Sequence, residues 1–216
     1  MKRDEVIARI NEIGIIPSIR VNTAEHALYA AETVYEAGIP VAEITMTVPG
    51  GIEVIRQLAQ KFPNMVVGAG TVLDDQVAAR CLDAGARFIT SPGLILEVVD
   101  FALKKGLTVL PGALTPTEVI AAWKTGADYV KIFPASQMGF DQYIRSLKVP
   151  LPQISFVASG GVSQQTATSF IRAGATALGV GVDLLPRDAL QMRQTHRIHE
   201  LARRFLGYIQ EGRTQI

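Results

Sequence analysis

The sequence is poor in several features that mark particular classes of protein. Its 216 residues include one cysteine and three histidines, 6% of them are aromatic, and the formal net charge at pH 7 is +1. A single cysteine excludes an intrachain disulfide and a multi-cysteine metal site. A net charge near zero creates no field that would attract nucleic acid or an anionic membrane. We therefore expect neither nucleic acid nor a membrane as a partner.

Long apolar runs are also missing. No segment approaches the ~20 apolar residues of a membrane-spanning helix, and residues 1–7 (MKRDEVI) lack the apolar stretch of a signal peptide. Cys81 lies in a helical pattern over residues 74–82, where a small buried thiol is its expected role. Because so low a cysteine content fits a reducing compartment, we predict a cytoplasmic location.

The apolar residues that are present, 48% of the chain, follow a regular rhythm. A glycine repeatedly ends a helical pattern and opens an apolar, strand-like segment, as expected because helices commonly stop at a residue with positive φ. Proline-containing turns at residues 62–64 and 149–152 fill the two longer intervals. The result is eight strand–helix units of roughly 20–25 residues after a short first helix. The glycines are Gly38, Gly85, Gly106, Gly126 and Gly174.

These units predict an α/β fold made of parallel strands covered by helices. The strand segments are short and rich in valine, isoleucine and alanine. Helices are expected to begin at Asn22 or Thr23, at Thr115 and at Ser163. Eight units without a linker favour a single (β/α)8 barrel, or TIM barrel, over residues 1–216 with an extra N-terminal helix. An open doubly wound sheet is the alternative. The predicted strands are 14–20, 40–46, 65–70, 87–91, 107–111, 128–133, 154–158 and 176–180.

Lys131 lies in an unusual place for a lysine, inside the apolar run of residues 128–134 (DYVKIFP). A charged amine in a buried strand loses its hydration at a large cost in free energy. Burial favours the neutral amine, which is a nucleophile for a carbonyl carbon. The alternative is a lysine at a strand end whose ammonium group extends to solvent.

Two other charged residues are predicted at equivalent strand ends. Arg20 ends the first strand and Glu43 lies in the second. Barrel enzymes carry their active sites at the carboxyl ends of the strands, and the alternation of side chains allows Glu43 and Lys131 both to point into the barrel mouth. We interpret the three as a candidate site. The alternative is a structural Glu43–Lys131 salt bridge, although such buried pairs rarely add much stability.

The sequence gives no indication of a cofactor or a metal ion. Residues 68–70 (GAG) resemble half of a dinucleotide-binding fingerprint, but residue 73 is leucine and no acidic ribose ligand is evident nearby. His26, His196 and His199 all fall in helical patterns rather than at strand ends. We therefore predict no cofactor and no metal site.

Six short motifs, in matching order over nearly the whole chain, resemble those of the bacterial 2-keto-3-deoxy-6-phosphogluconate (KDPG) / 4-hydroxy-2-oxoglutarate (KHG) aldolases. The resemblance implies a trimeric (β/α)8 barrel that uses a Schiff-base lysine and no metal. It implies a class I aldolase, a lyase that cleaves 2-keto-4-hydroxy acids to pyruvate and an aldehyde. The motifs are residues 43–45 (EIT), 68–72 (GAGTV), 91–93 (SPG), 111–112 (PG), 130–135 (VKIFPA) and 160–162 (GGV).

The resemblance also implies roles for individual residues. Lys131 matches the Schiff-base lysine and Glu43 the acid/base carboxylate. Residues implied to line the pyruvyl pocket are Thr71, Pro92 and Phe133. The loops implied to bind the distal end of the substrate, which is a phosphate in KDPG, contain Ser159, Gly160, Gly161, Gly181 and Val182.

Two positions depart from the family pattern. Thr47 stands where many members have an arginine that holds the substrate carboxylate, so Arg20 is the expected substitute and Thr47 a candidate contact. Val182 stands where a serine hydroxyl is common in the phosphate site. Since residues 159–161 and 179–181 bring no basic side chain, a phosphate would rest on backbone N–H groups and helix dipoles. We therefore expect cleavage of unphosphorylated acids such as KHG.

Two other functions remain open at the level of sequence. One is a non-catalytic barrel that binds sugar phosphates as a sensor, which would require neither Glu43 nor Lys131. The other is a barrel decarboxylase or isomerase acting on a sugar phosphate. Such enzymes usually need an acidic cluster or metal ligands at the strand ends, where this sequence offers one carboxylate.

Overall fold

The computed structural model describes residues 1–214. The strands are β1 (Ile15–Ile19), β2 (Val41–Thr45), β3 (Val66–Gly70), β4 (Phe88–Thr90), β5 (Thr108–Leu110), β6 (Gly112–Ala113), β7 (Val130–Ile132), β8 (Phe156–Ser159) and β9 (Ala175–Val180). The α-helices are α1 (Arg3–Ile13), α2 (Ala24–Glu36), α3 (Gly51–Lys61), α4 (Asp75–Asp83), α5 (Leu96–Lys104), α6 (Pro116–Lys124), α7 (Asp141–Lys148), α8 (Ala167–Arg172), α9 (Arg187–Gln191) and α10 (Thr195–Thr214), with a 3-10 helix at Ala135–Met138 before α7.

The strands form one parallel sheet that curls into a nearly closed barrel. Their order is β5-β4-β3-β2-β1-β9-β8-β7-β6, and β5 and β6 are the two halves of the strand predicted at 107–111. Pro111 separates them and has no N–H to donate, while its carbonyl accepts a hydrogen bond of 2.9 Å from the Lys131 N–H. Because β5 pairs with β4 and β6 with β7, this interrupted strand joins the two ends of the order. The predicted barrel is confirmed, with one strand in two pieces.

The extra N-terminal helix α1 covers the amino-terminal end of the barrel. Val6 and Ile10 of α1 are buried against a layer of interior side chains. The Tyr129 hydroxyl donates to Asn11 Oδ1 at 2.7 Å, which ties α1 to a barrel strand segment. Apolar packing with this hydrogen bond closes the barrel interior at this end. The interior layer consists of Ile16, Val41, Val66, Phe88, Leu110, Tyr129, Val157 and Ala177.

Two of the three predicted helix starts are confirmed. The Thr23 hydroxyl accepts a hydrogen bond from the His26 N–H at 3.1 Å, and Thr115 forms a capping box with Glu118. Backbone N–H groups of Thr115 and Leu114 hold the pKa of Glu118 below its usual value. The prediction for Ser163 is wrong. Its carbonyl ends a turn by accepting from the Thr166 N–H at 3.1 Å, and α8 begins only at Ala167.

The helices pack on the outside of the sheet over a continuous apolar core. Cys81 is fully buried in α4, as predicted, and burial raises the pKa of its thiol to about 11. Such a thiol stays protonated at neutral pH and is a poor nucleophile. Within residues 1–214, no helix combines the length and the apolar character that crossing a bilayer would require.

Candidate active site

Lys131 lies in β7 with its side chain inside the barrel. The residue is 8% exposed, and its neighbours Val130 and Ile132 are fully buried in the core outside the sheet. Its Nζ donates to Thr90 Oγ1 at 3.3 Å and lies 5.6 Å from the centre of the Phe133 ring. The ammonium group therefore faces an enclosed space instead of extending to bulk solvent.

Glu43 projects from β2 into the same layer of the barrel and is 4% exposed. Its Oε1 accepts a hydrogen bond of 2.7 Å from Ser18 in β1, and its Oε2 accepts one of 2.9 Å from Thr90 in β4. The distance from Glu43 Oε2 to Lys131 Nζ is 3.9 Å. The parallel register, which sets Ser18 opposite Glu43, gathers a lysine, a carboxylate and two hydroxyls from four strands.

Two glycines in β3 leave room for this arrangement. A methyl group on Gly70 would collide with the Glu43 carboxylate, and one on Gly68 would collide with the Phe88 ring. The motif that resembles half of a dinucleotide fingerprint therefore serves the interior packing of the barrel. Any side chain at position 70 would displace the carboxylate.

A cavity of about 210 Å³ opens above Lys131 at the carboxyl end of the barrel. Glu43 is not part of its wall, but Glu43 Oε2 lies 3.9 Å from the Nζ of Lys131, which is part of the wall. Thr47 is also outside the wall, exposed, with its hydroxyl 2.8 Å from Thr45 Oγ1. The other predicted site residues all line the cavity: Arg20, Thr71, Pro92, Lys131, Phe133, Ser159, Gly160, Gly161, Gly181 and Val182.

Arg20 reaches the cavity from the chain immediately after β1. Its Nη2 donates to Thr71 Oγ1 at 3.2 Å, so two predicted substrate contacts lie side by side. Thr71 has a φ of 58°, in the left-handed region that a β-branched residue rarely adopts. Such strain persists where the surrounding structure enforces it, and it clusters at binding and catalytic sites.

Four polar residues of the site were not predicted from the sequence. Ser18 and Thr90 hold the Glu43 carboxylate. The feature that could have predicted them is a hydroxyl side chain at an interior position of an apolar strand. Asp183 and Arg187 line the cavity at its distal loops, and burial raises the pKa of Asp183. Arg187 was not predicted because it belongs to the short helix α9 and not to a strand end.

The parallel barrel has a cavity at the carboxyl ends of its strands, with a buried lysine beside a carboxylate. This arrangement is that of an enzyme that can form an imine with a carbonyl substrate. The family model described as KDPG and KHG aldolase matches residues 6–201, and the chain belongs to this family. It is therefore an aldolase, which is a lyase, and its substrate is a small keto acid. The family and the activity predicted from the sequence are confirmed.

Curated relatives match most of the chain. The KHG/KDPG aldolase of Escherichia coli (strain K12) is 32% identical over 189 residues, which are 88% of this chain and 89% of that protein. The 2-dehydro-3-deoxy-6-phosphogalactonate aldolase of the same organism is 34% identical over 175 residues, 80% of this chain and 85% of that protein.

Solved structures agree with this assignment. A structure described as native KDPGal superimposes with a TM-score of 0.85 at 31% identity, covering 94% of this chain and 96% of that one. KDPG aldolase from Legionella pneumophila, with pyruvate captured at low pH as a covalent carbinolamine intermediate, gives 0.84 at 28% identity and covers 91% and 96%.

Proposed function

We propose that Lys131 forms a Schiff base with the substrate and that the chain releases pyruvate and an aldehyde from 2-keto-4-hydroxy acids. The observation that carries this assignment is a buried pair in which Lys131 lines the cavity and its Nζ lies 3.9 Å from Glu43 Oε2. The neutral amine attacks the C2 ketone, whose oxygen leaves as water. The iminium then accepts the electron pair released when the C3–C4 bond breaks.

Glu43 is the acid/base group in this mechanism. Its carboxylate takes the proton of the C4 hydroxyl as C3–C4 breaks and returns a proton to C3 of the enamine, directly or through one water. Ser18 and Thr90 each donate a hydrogen bond to it, which fixes its orientation toward Lys131. Phe133, Pro92 and Thr71 form the wall around the pyruvyl group.

The two ends of the substrate meet different groups. Arg20 binds the C1 carboxylate with its planar fork, which holds C2 near the amine. At the other end, the backbone of Gly160, Gly161 and Gly181 faces a distal group beside Val182, which has no hydroxyl. We propose that this enzyme cleaves unphosphorylated acids such as KHG and gains little from a 6-phosphate.

We further propose that the chain acts as a single barrel domain over residues 1–216, assembled as a cytoplasmic homotrimer. The family resemblance supports the trimer. The lone buried cysteine supports a reducing compartment.

The test of this function is covalent trapping. Incubation with pyruvate and borohydride should reduce the imine to a stable amine, and peptide mass spectrometry should place the added mass on Lys131. Lys148 is an internal control, because burial lowers its pKa but it lies outside the cavity and donates to the Ile154 carbonyl at 2.6 Å. An unmodified Lys131 in protein that still cleaves substrate would overturn the Schiff-base mechanism.

A further inference from the structure

Thr90 has a role in the buried site that neither the fold nor the family assigns. It ends β4, is 1% exposed, and its hydroxyl lies between the two charged groups. The oxygen is 3.3 Å from Lys131 Nζ and 2.9 Å from Glu43 Oε2. Among residues 1–214, Thr90 is the one hydrogen-bond partner of the Lys131 amine.

The direction of these two hydrogen bonds is fixed by chemistry. A lysine ammonium group has only donors and a carboxylate has only acceptors, so the Thr90 hydroxyl accepts from Lys131 and donates to Glu43. The direct distance between the charged groups, 3.9 Å, is too long for a hydrogen bond, since a contact of about 3.6 Å already fails to be one. The hydroxyl is thus the hydrogen-bonded route between them.

We propose that Thr90 transfers the proton by which Lys131 becomes a nucleophile. The ammonium group gives one proton to Thr90 Oγ1 as the hydroxyl gives its own proton to Glu43. Lys131 is left as a neutral amine, Glu43 as a carboxylic acid and Thr90 unchanged. This inference rests on the proposed imine at Lys131.

The same proton is used again in forming the imine. The amine adds to C2, and one N–H proton moves to the C2 oxygen to give the carbinolamine. Glu43 then protonates that hydroxyl, which leaves as water as the iminium forms. Glu43 is then a carboxylate again and can accept the proton of the C4 hydroxyl.

The test compares Thr90→Val, which keeps the branched shape without the hydroxyl, with Thr90→Ser, which keeps the hydroxyl. The rate of imine formation with pyruvate is measured by borohydride quenching at timed intervals over a range of pH. We expect Thr90→Val to slow this step by roughly 10²–10⁴-fold, the usual contribution of a positioned proton-transfer group. Its rate should also rise more steeply with pH, because solvent hydroxide must then remove the proton. Thr90→Ser should restore both the rate and the pH profile.

Ser18→Ala is the matched control, since it removes the other hydrogen bond to Glu43 without touching Lys131. If Thr90 only positions the carboxylate, Ser18→Ala and Thr90→Val will slow imine formation equally, and the inference fails. It also fails if Thr90→Val forms the imine at the wild-type rate, or if Thr90→Ser is as slow as Thr90→Val. Absence of any imine on Lys131 in the wild type would instead refute the Schiff-base function.

Discussion

Lys131 and Glu43 are close enough to interact but too far apart for a direct hydrogen bond, at 3.9 Å. A buried ion pair kept for stability would be expected to make a charge-assisted contact of about 2.7–2.9 Å. Lys131 lines a cavity and Glu43 lies next to it, and both groups are held by hydroxyls rather than by each other. This geometry favours chemistry over the structural salt bridge, because a separated and partly satisfied pair adds little stability.

Glu43→Gln should keep the shape of the site and remove its proton acceptor. We expect turnover of a 2-keto-4-hydroxy acid to fall by roughly 10²–10⁴-fold, while an imine with pyruvate still accumulates, more slowly. Steady-state kinetics and the trapped fraction on Lys131 measure the two effects. If the variant is instead less stable while its folded fraction keeps the wild-type specific activity, Glu43 has a structural role.

Arg20→Lys tests the proposed carboxylate clamp. The substitution keeps the positive charge but loses the planar fork and the hydrogen bond of 3.2 Å to Thr71. The loss of one hydrogen bond to a charged group, worth about 1.5–3 kcal/mol, should weaken pyruvate binding by roughly 10–150-fold. Isothermal titration calorimetry with pyruvate, on protein that has not been treated with borohydride, measures this affinity.

The control for the clamp is Arg203→Lys on α10, an exposed arginine outside the cavity. It should bind pyruvate as the wild type does. A pyruvate-bound structure in which Arg20 turns away from the carboxylate would contradict the clamp.

At the scale of elements, the loops after β8 and β9 and the start of α9 determine which distal group fits. Val182 offers no hydroxyl, while Asp183 and Arg187 place opposite charges in the same wall. Asp183 repels a phosphate dianion more strongly than a carboxylate, whereas an arginine fork pairs with either anion. We therefore expect the distal end to match a dicarboxylic keto acid better than a phosphorylated one.

This match predicts comparable or higher kcat/KM for KHG than for KDPG. Val182→Ser should raise kcat/KM for the phosphorylated substrate more than for the unphosphorylated one, because it adds a hydroxyl donor. Both substrates can be followed by coupling pyruvate release to a dehydrogenase. A wild-type preference for the 6-phosphate above about a hundredfold, or ~2.7 kcal/mol, would show that backbone groups and Arg187 suffice for phosphate.

The elements that the sequence predicted well are those with a strong periodic signal. All eight strand segments appear in order because buried parallel strands read as short apolar runs. The division at Pro111 was missed, since a proline inside an apolar run gives no sign of which half pairs with which neighbour. Ser163 has the right residue type for a cap, but its backbone is used in a turn before α8.

For the whole molecule, predicting the site meant identifying charged residues at strand ends, and Lys131, Glu43 and Arg20 were predicted in this way. The residues that hydrogen-bond to Glu43 were not predicted, because Ser18 and Thr90 look like ordinary residues within apolar strands. Their importance appears only when register and barrel closure bring β1, β2, β4 and β7 around one point. Arg187 was missed for the same reason, as it reaches the cavity from a helix beyond the last strand.

Helix α1 closes the amino-terminal end of the barrel, and the cavity opens at the carboxyl end. This arrangement affects the order in which the two products leave. In the proposed mechanism pyruvate is attached to Lys131 inside the barrel, whereas the aldehyde forms from the half of the substrate nearer the opening. The aldehyde can leave as soon as it forms, but pyruvate must first be freed from Lys131 by water. Departure is therefore sequential, aldehyde first and pyruvate last, and in the reverse, carbon–carbon bond-forming direction pyruvate must bind first.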